Sequence, residues 1–592
     1  MFCLQYGLTD ESYKYCYGID DVGRDAEDFF HCHSISLVAA RRDWAAFQVL
    51  LKGNREFTVS VGDTPVFSPR GQLPNVRLKA AVGQYPEWPV KMHIIDFVED
   101  DDRLMKADIL LNDETVHVEP GMVQPIWVEI RIPEDAQPGI SRGRVDLFVH
   151  TMFEDEVCTA SLEFDLDVKD VVMPLPSEYS FHLDLWQHAS NISRKHEVHL
   201  WSEEHFKVLE EYIKSLSELG QKAVTVIASE IPWSGQQCFK VTNYLSNLFE
   251  FSMVRVQREA GGRYNYDFSI MQRYIEMCFK YGIDQEIEVF GLVNIWTSPE
   301  DGYGSVADDY PDAIRIRYFD TTDGCYKYMK SAEEIKCYIK ALEQFFIENK
   351  WIDRVRIVAD EPSDVKLYRE RLNLLKETAP SFKYKTAINH AEFVAEFKDE
   401  IHDFVPILPC VCDEWELLKQ LKDSIRGRLM WYVCCWPPIP NTFISSPLLE
   451  SRLIGILTAY MDLDGFLRWN YTVWPERPRE RISYRYPNWK AGDTNFVYPG
   501  NDGRPLLTLR YKNFKRGIED FELINMVKKL YPDSCKRLEK IWDRLLYSKD
   551  ITDFHPSRGK KAEELYSLDY EDYKCVRAML LELIEKAQTC NS

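Results

Sequence analysis

From Ser177 onward, short apolar segments alternate with longer amphipathic segments, and this alternation constrains the fold more than any other feature. The short segments are rich in β-branched residues, as in buried strands, and the longer ones repeat their apolar positions with a helical period. Gly220 and Gly282 stand where helix C-caps belong. The predicted strands are 179–185, 223–228, 286–292, 354–359, 383–388, 403–408, 428–434 and 464–469, and the predicted helices include 203–219, 268–281, 332–349, 364–378, 392–401, 414–423 and 447–461.

Eight strands alternating with helices over about 330 residues predict a (β/α)₈ barrel. The chain before the barrel is different, because segments such as 34–39, 57–61, 90–97, 126–132 and 144–150 are short and punctuated by Pro, Gly and Asp. We therefore predict a multidomain α/β chain: a β-sandwich over residues 1–174, a (β/α)₈ catalytic barrel over 175–530 and a helical C-terminal cap over 531–592 that packs on the barrel.

Composition excludes several classes of partner. The net charge of −23 disfavours nucleic acid and anionic membrane surfaces, which would be repelled. No run of eighteen apolar residues predicts a membrane span. The N-terminal residues lack a secretory pattern, and the 15 cysteines are odd in number and scattered, so the sequence predicts free thiols and a cytoplasmic location. A homo-oligomer is left open.

The fourth predicted strand ends in two adjacent carboxylates, Asp360 and Glu361, and Pro362 prevents the strand from continuing. Asp-Glu pairs occur at five other places in the chain, where a solvated pair is the ordinary interpretation. Two close carboxyls in a partly apolar cleft do not both ionise easily, so one can stay protonated and act as an acid. Active sites of barrels lie at the carboxyl ends of the strands. Asp360 and Glu361 are therefore the predicted catalytic pair.

The residues that follow the other strands are aromatic, amide and imidazole side chains, which suits a sugar pocket. Individually, most of the tryptophans are more often packing residues, and strand tryptophans often fill a barrel core. His390 is more often a structural imidazole than a general base. The sequence shows no zinc-protease spacing, phosphate loop or nucleophile elbow, so no metal site is predicted. The predicted substrate-binding residues are Trp186, His188, Trp233, Asn294, Trp296, Asn389, His390, Trp431, Tyr432, Trp469, Asn470 and Trp474.

Four ordered motifs resemble the catalytic domain once listed as domain of unknown function 4091, which is shared with glycoside hydrolase family 123. They are MWYVCCWPP at 430–438, DGFLRWN at 464–470, GDTNFVYPG at 492–500 and LRYKNFKRGIEDFE at 509–522. The segments 181–188 and 231–236 are similar to the same family. The resemblance covers about residues 175–530. The family usually has Pro after the residue equivalent to His188, whereas this chain has Ala189.

The resemblance implies a retaining exo-hydrolase that releases terminal β-linked N-acetylgalactosamine with help from the substrate's own acetamido group. Asp360 would then orient the acetamido group, and Glu361 would be the acid and then the base. The signature residues Gly492, Asp493, Arg510, Arg516 and Asp520 would hold the last loop and helix against the barrel rather than touch sugar. No metal or organic cofactor is implied, and the partner is a glycan or glycoconjugate.

Two alternatives remain open from the sequence. The first is a glycosidase of other sugar specificity on the same scaffold, such as one acting on N-acetylglucosamine. The second is a non-catalytic glycan-binding protein. The sequence does not name the aglycone, the linkage or the oligomeric state.

Overall fold

The structure is a computed structural model that describes residues 2–19, 21–63, 71–232, 249–293, 306–422, 424–474, 478–479 and 489–591. The chain is a mixed α/β protein of several sheets and helices, as predicted. Two separate apolar cores serve the N-terminal sheets and the later α/β part. In the described part of the chain, no helix has both the length and the apolar character needed to cross a membrane.

The N-terminal part forms two sheets that share one apolar core. One sheet has the strand order β1-β3-β9-β6-β7 and the other β2-β11-β10-β5-β4-β8. Most pairings are antiparallel, and buried residues from both sheets meet between them. The strands are β1 Leu4–Asp10, β2 Ser34–Arg41, β3 Asp43–Gly53, β4 Phe57–Ser60, β5 Asn75–Val82, β6 Val90–Glu99, β7 Met105–Leu110, β8 Thr115–Val118, β9 Val123–Ile132, β10 Gly139–His150 and β11 Val157–Val172.

The later strands include the eight that the sequence predicted, each within a few residues of its predicted bounds. They also include short strands that the sequence did not reveal. The strands are β12 His182–Leu185, β13 Ala223–Ile227, β14 Ile231–Pro232, β15 Phe249–Glu250, β16 Arg255–Arg258, β17 Tyr264–Asp267, β18 Glu286–Phe290, β19 Arg317–Asp320, β20 Cys325–Tyr328, β21 Val355–Asp360, β22 Lys383–Ile388, β23 Asp403–Pro406, β24 Met430–Tyr432, β25 Gly465–Arg468, β26 Tyr498–Pro499 and β27 Pro505–Leu506.

Parallel pairing links eight of these strands in a closed cycle. One sheet has the order β13-β18-β21-β22-β23 and another β12-β25-β24. Parallel bridges join the two sheets at both ends, from Phe404 to Leu429, from Ile407 to Tyr432 and from Leu183 to Gln221. The carboxyl ends of all eight strands therefore lie on one side, and we call this closed cycle the strand ring.

The helices alternate with the strands of the ring, and their ends are set by local capping. Ser202 and Ser331 accept hydrogen bonds from the first turns of α3 and α5, and Gly220 ends α3 with φ of 83°. The predicted cap at Gly282 is also left-handed. The helices are α1 Ala26–Phe29, α2 Ala189–Lys195, α3 Glu203–Leu219, α4 Ser269–Lys280, α5 Ala332–Glu348, α6 Val365–Thr378, α7 Glu392–Phe397, α8 Leu408–Asp413, α9 Trp415–Leu421, α10 Leu448–Tyr460, α11 Leu509–Leu530, α12 Ser534–Leu545, α13 Ala562–Leu565 and α14 Tyr570–Asn591.

Helix α11 connects the two parts of the chain. Every residue from Leu509 to Ile524 is buried. The backbone of α11 touches that of α10 where Gly517 faces Gly455, because a Cβ added to Gly455 would lie 2.0 Å from the Gly517 oxygen. Arg510 pairs with Asp108 of β7 at 2.9 Å, and Arg516 pairs with Asp43 of β3 at 3.2 Å and with Glu11.

These contacts correct one expectation about the last family-like motif. Arg510 and Arg516 were expected to hold α11 against the predicted barrel, and their ion pairs join α11 to the N-terminal sheets. Asp520 pairs with Arg452 of α10 and with Arg577 of α14. Helix α14 contacts α11 and α12, and it also contacts strands β2 and β11 of the N-terminal sheets. The C-terminal helices therefore extend across both parts.

Candidate active site

The adjacent carboxylates Asp360 and Glu361 lie at the carboxyl end of β21, on the side of the strand ring where the strands end. Asp360 is the last residue of the strand, and its partner in register is Ala387 of β22. The backbone N–H of Glu361 donates to the Ala387 carbonyl over 3.0 Å, which extends the pairing by one residue. Glu361 has a φ of 50°, a left-handed conformation that is costly for a residue with a side chain. Strain of this kind concentrates at functional sites.

The Glu361 carboxyl receives two hydrogen bonds from neighbouring strand ends. The Tyr432 hydroxyl, at the end of β24, donates to Oε1 over 2.5 Å, and Asn389 Nδ2, just after β22, donates to Oε2 over 3.1 Å. Burial raises the pKa of Glu361, while the Tyr432 hydrogen bond and the nearby His390 act in the opposite direction. A raised pKa keeps a carboxyl protonated to higher pH, which suits proton donation.

Asp360 belongs to the same cluster. It is half-buried, and its charge, like that of Glu361, contributes to raising the pKa of the Tyr432 phenol, after burial. The phenol therefore stays protonated and serves as a donor. Strands β21, β22 and β24 thus bring Asp360, Glu361, Asn389 and Tyr432 together, and His390 lies close enough to affect the Glu361 carboxyl.

The tryptophans predicted to contact sugar differ in their exposure and in their hydrogen-bond partners. Trp469, at the end of β25, keeps 8% of its surface exposed, and Trp186, after β12, keeps 1% and packs edge-on against Phe290. Trp431 lies on the opposite face of β24 from Tyr432, and its Nε1 donates to Thr458 of α10 over 2.8 Å. The fully buried Trp474 donates to the Val497 carbonyl. Trp431 and Trp474 are fully buried and bonded to the protein itself, surroundings that are typical of packing residues rather than of the predicted sugar contacts.

Three predicted contacts lie outside the described residues. These are Trp233, Asn294 and Trp296, each in a segment that the structure does not describe.

A buried polar layer lies beside the carboxylates. The imidazole of His188 is within 2.9 Å of the Trp469 carbonyl, and burial lowers the pKa of His188 to about 4, so the ring is neutral near pH 7. Arg468 donates to Asn470 Oδ1 over 3.1 Å and pairs with Asp493 at 2.8 Å. His188 and Asn470 are fully buried, so the structure gives them a positioning role rather than a surface for sugar.

Asp493 is a member of this layer whose relation to Glu361 was not predicted from the sequence. Burial raises the pKa of Asp493 to about 6, Arg468 opposes the rise, and the charge of Glu361 adds to it. Arg468, the partner of Asp493, also donates to the carbonyl of Val433, the neighbour of Tyr432, so the loop carrying Asp493 lies near the carboxylate pair. The only sequence signal was the Gly492-Asp493 motif, which suggested a structural role alone.

A second carboxylate cluster lies inside the strand ring. Asp184, Glu286 and Glu288 approach one another closely enough to hold a metal ion. The ammonium of Lys385 occupies the centre of this group, at 2.6 Å from Asp184, 2.8 Å from Glu286 and 2.9 Å from Glu288. Arg428 adds a second cation, 2.9 Å from Glu286, and burial raises the pKa of Glu288 well above its usual range, which favours the uncharged form. The cluster is therefore explained as a buried ion network that joins three strands of the ring.

Comparison with known proteins identifies the family. The model of the glycoside hydrolase 123 catalytic domain matches residues 186–527, more than half of the chain. No curated protein matches the sequence. One similar solved structure is a family 123 glycoside hydrolase from Clostridium perfringens, whose structural analysis concerns glycolipid glycan hydrolysis. It shares 18% identity with this chain at a TM-score of 0.71, and the match covers 99% of this chain and 98% of that one. That similarity supports the fold.

Two other solved structures are more distant. A cyclomaltodextrinase shares 12% identity with a TM-score of 0.31, covering 82% of each chain. A β-D-glucuronidase for Dictyoglomus thermophilum shares 8% identity with a TM-score of 0.29, covering 87% of this chain and 97% of its own. Neither similarity carries an argument. The family model and the carboxylate pair together lead to one conclusion: the chain belongs to the glycoside hydrolase 123 family and is a glycosidase.

Proposed function

We propose that the enzyme releases terminal β-linked N-acetylgalactosamine from glycans with retention of configuration, by substrate-assisted catalysis. The observation that carries the proposal is the environment of the Glu361 carboxyl. Burial raises the pKa of this carboxyl, and hydrogen bonds from Tyr432 and Asn389 hold it in place beside Asp360. One carboxyl is thus prepared to give a proton. The second carboxyl, that of Asp360, belongs to the preceding residue rather than to a separate strand.

In the first step, the acetamido oxygen of the substrate attacks the anomeric carbon, and the bond to the leaving oxygen breaks. Glu361 gives its proton to that oxygen and becomes a carboxylate. Asp360 accepts a hydrogen bond from the acetamido N–H and stabilises the positive charge of the cyclic intermediate. In the second step, water attacks the anomeric carbon from the face that the leaving group left, and Glu361 takes a proton from this water. The cyclic intermediate opens, and the two inversions together retain the configuration.

The adjacency of the two carboxylates favours this scheme over an enzyme nucleophile. Retaining glycosidases with a carboxylate nucleophile place it about 5–5.5 Å from the acid, commonly on a different strand. Here the acid follows Asp360 directly at the end of β21. Asn389 is exposed and His390 half-buried, so sugar contacts at both positions fit the scheme. Trp233, Asn294 and Trp296 remain predicted sugar contacts.

We also propose the architecture in which this site stands. The strand ring with its alternating helices supports a (β/α)₈ barrel over about residues 175–530, and the two N-terminal sheets support a β-sandwich over 1–174. The last helices form a cap over 531–592. The family 123 relative acts on glycolipid glycans, and we propose the same broad class of substrate here.

The test compares hydrolysis of aryl β-N-acetylgalactosaminides by the wild type and by Asp360→Asn, Glu361→Gln and Glu392→Gln. Glu392 is an exposed carboxylate near the same rim and serves as the matched control. We expect the first two variants to lose at least a hundredfold in kcat/KM and the control to keep its rate. For Glu361→Gln, the loss should grow as the leaving group becomes poorer. Undiminished hydrolysis of a poor leaving group by Glu361→Gln would refute the assignment.

The alternatives give different results in the same assays. Hydrolysis of aryl galactosides or glucosides would show that the acetamido group is not required. Faster hydrolysis of the N-acetylglucosamine substrate would change the sugar assignment but keep the mechanism. Binding of sugar without any turnover would indicate a glycan-binding protein. A thiazoline inhibitor, which mimics the cyclised acetamido group, should compete tightly if the mechanism is correct.

A further inference from the structure

Cys434 and Cys435 place two adjacent thiols directly after β24, two residues beyond Tyr432. Both residues are half-buried. Their Sγ atoms lie 3.8 Å apart. A disulfide bond is about 2.05 Å long, so the pair is a dithiol. The proposed hydrolysis does not use it.

The spacing of the two sulfur atoms matches the requirement of a soft cation. Zn²⁺ binds thiolate sulfur at about 2.3 Å with tetrahedral angles, which separates two sulfur ligands by about 3.8 Å. The two thiols therefore need little movement to bind one ion. Neighbouring cysteines elsewhere in the described chain, Cys410 and Cys412, are buried and leave no access from solvent.

The backbone around the dithiol is already fixed. Asn441 Nδ2 donates to the Cys434 carbonyl over 3.0 Å and to the Pro437 carbonyl over 2.6 Å, and Arg468 donates to the Val433 carbonyl over 3.3 Å. The thiol contacts are weak by comparison, since Cys434 Sγ lies 3.7 Å from the Trp436 carbonyl. A ligand would thus find the sulfur atoms oriented and would displace little.

We propose that Cys434 and Cys435 form a binding site for one thiophilic divalent cation of the Zn²⁺ class, and that an ion bound there slows turnover. Binding converts two thiols and Zn²⁺ into a neutral dithiolate complex and releases two protons, and water fills the remaining positions on the ion. No redox step is involved. Zn²⁺ should therefore bind more tightly as pH rises.

The site is close to the catalytic carboxyl. Cys434 follows Tyr432 by two residues at the end of β24, and Tyr432 donates to Glu361 Oε1. An ion with its water ligands would stiffen the strand end that carries Tyr432, the donor to Glu361. The slowing of turnover rests on the proposed function, whereas the binding of the ion does not.

A local measurement is needed, because Glu56, His117 and Glu119 form another group at the surface that could hold a cation. The full-length protein is reduced with a phosphine and treated with iodoacetamide, with Zn²⁺ or Mg²⁺ present. Mass spectrometry then follows alkylation of the peptide that contains both cysteines. We expect Zn²⁺, but not Mg²⁺, to slow alkylation at least tenfold. Unprotected cysteines under saturating Zn²⁺ would overturn the proposal.

Cysteine variants test whether the ion binds at the dithiol. In equilibrium dialysis, Cys434→Ser and Cys435→Ser should each bind one Zn²⁺ fewer per chain than Cys337→Ser, which changes an exposed thiol of α5. Serine keeps the size of the side chain, and either variant is sufficient if the other fails to fold. Equal zinc content in all three variants would contradict the site.

The effect of the bound ion on turnover is tested separately from binding. Saturating Zn²⁺ should slow the wild type and Cys337→Ser at least threefold and the two site variants less than 1.5-fold, each relative to its own rate without metal. Protection of the thiols without slowing would refute the coupling and keep the binding site. If the protein hydrolyses none of the aryl glycosides, the proposed function fails, while the alkylation and dialysis results still decide the cation site.

Discussion

Replacing Tyr432 by phenylalanine removes one hydroxyl, which donates to Glu361 Oε1 over 2.5 Å. A hydrogen bond to a charged group contributes about 1.5–3 kcal/mol. In the proposed mechanism Glu361 loses its proton to the leaving group, so this donor would stabilise the carboxylate that forms in the transition state. Each 1.36 kcal/mol is a factor of ten in rate, so we expect kcat/KM to fall about 10- to 150-fold.

The same variant should change the pH profile in a defined direction. Burial raises the pKa of Glu361, and the Tyr432 hydrogen bond partly offsets that rise. Without the hydroxyl, burial acts with less opposition, so the folded-state pKa of Glu361 rises further and the acid form persists to higher pH. The basic limb of kcat/KM, which reports the acid of the free enzyme, should therefore move to higher pH.

The assay uses aryl β-N-acetylgalactosaminides with graded leaving groups, because a poor leaving group depends most on the acid. Tyr368→Phe is the matched control, since this buried tyrosine of α6 has its hydroxyl 2.7 Å from the neutral Thr386 side chain. The control should leave the pH profile unchanged. The reasoning is refuted if the basic limb of Tyr432→Phe stays in place or moves to lower pH, or if Tyr368→Phe loses as much activity.

Three other substitutions test parts of the structure. Trp431→Phe should lower the free energy of unfolding by about 1–3 kcal/mol without changing KM, because the indole bonds to α10; a raised KM would indicate a sugar contact. Arg516→Met removes one cation from a buried network with Glu11, Asp43 and Glu519 and leaves Arg452 and Arg577 to pair with them, so it should cost about 3–5 kcal/mol in urea unfolding. Arg144→Met, at an exposed ion pair, should cost less than about 1 kcal/mol. Burial raises the pKa of Glu450 from 4.5 to about 7, so this carboxyl contributes stability that is lost as pH rises through that range, and the free energy of unfolding of Glu450→Gln should fall less over it than that of the wild type.

Secondary structure was predictable where hydrophobic period and capping agree. The predicted helix 203–219 and the predicted strand 383–388 have the same bounds in the structure. The sheet formed by β16, β17, β19 and β20 was missed, because its strands have four residues each and their outer side chains are polar, so no clear alternation appears. Whether such a short segment forms a strand depends on the strands that pair with it, and these come from other parts of the chain.

The candidate site was predictable as a location but not as a set of contacts. Asp360 and Glu361 were found because a proline and a strand end isolate them. Tyr432 was predicted to bind sugar, whereas its hydroxyl donates to Glu361. The face of a strand on which a side chain lies changes with each residue, so Tyr432 and Trp431 have opposite surroundings. Sequence alone does not fix that register.

The buried ion pairs of α11 have a consequence for synthesis on the ribosome. Glu11 and Asp43 are made early, but their partner Arg516 follows Glu11 by 505 residues. At about 5–20 residues per second, the N-terminal sheets wait roughly 25–100 s for the arginine that neutralises their inner carboxylates. Until then, those carboxylates must stay hydrated, which keeps the nascent sheets from closing completely. The N-terminal sheets, although translated before α11, therefore reach their final structure only after α11 has been made.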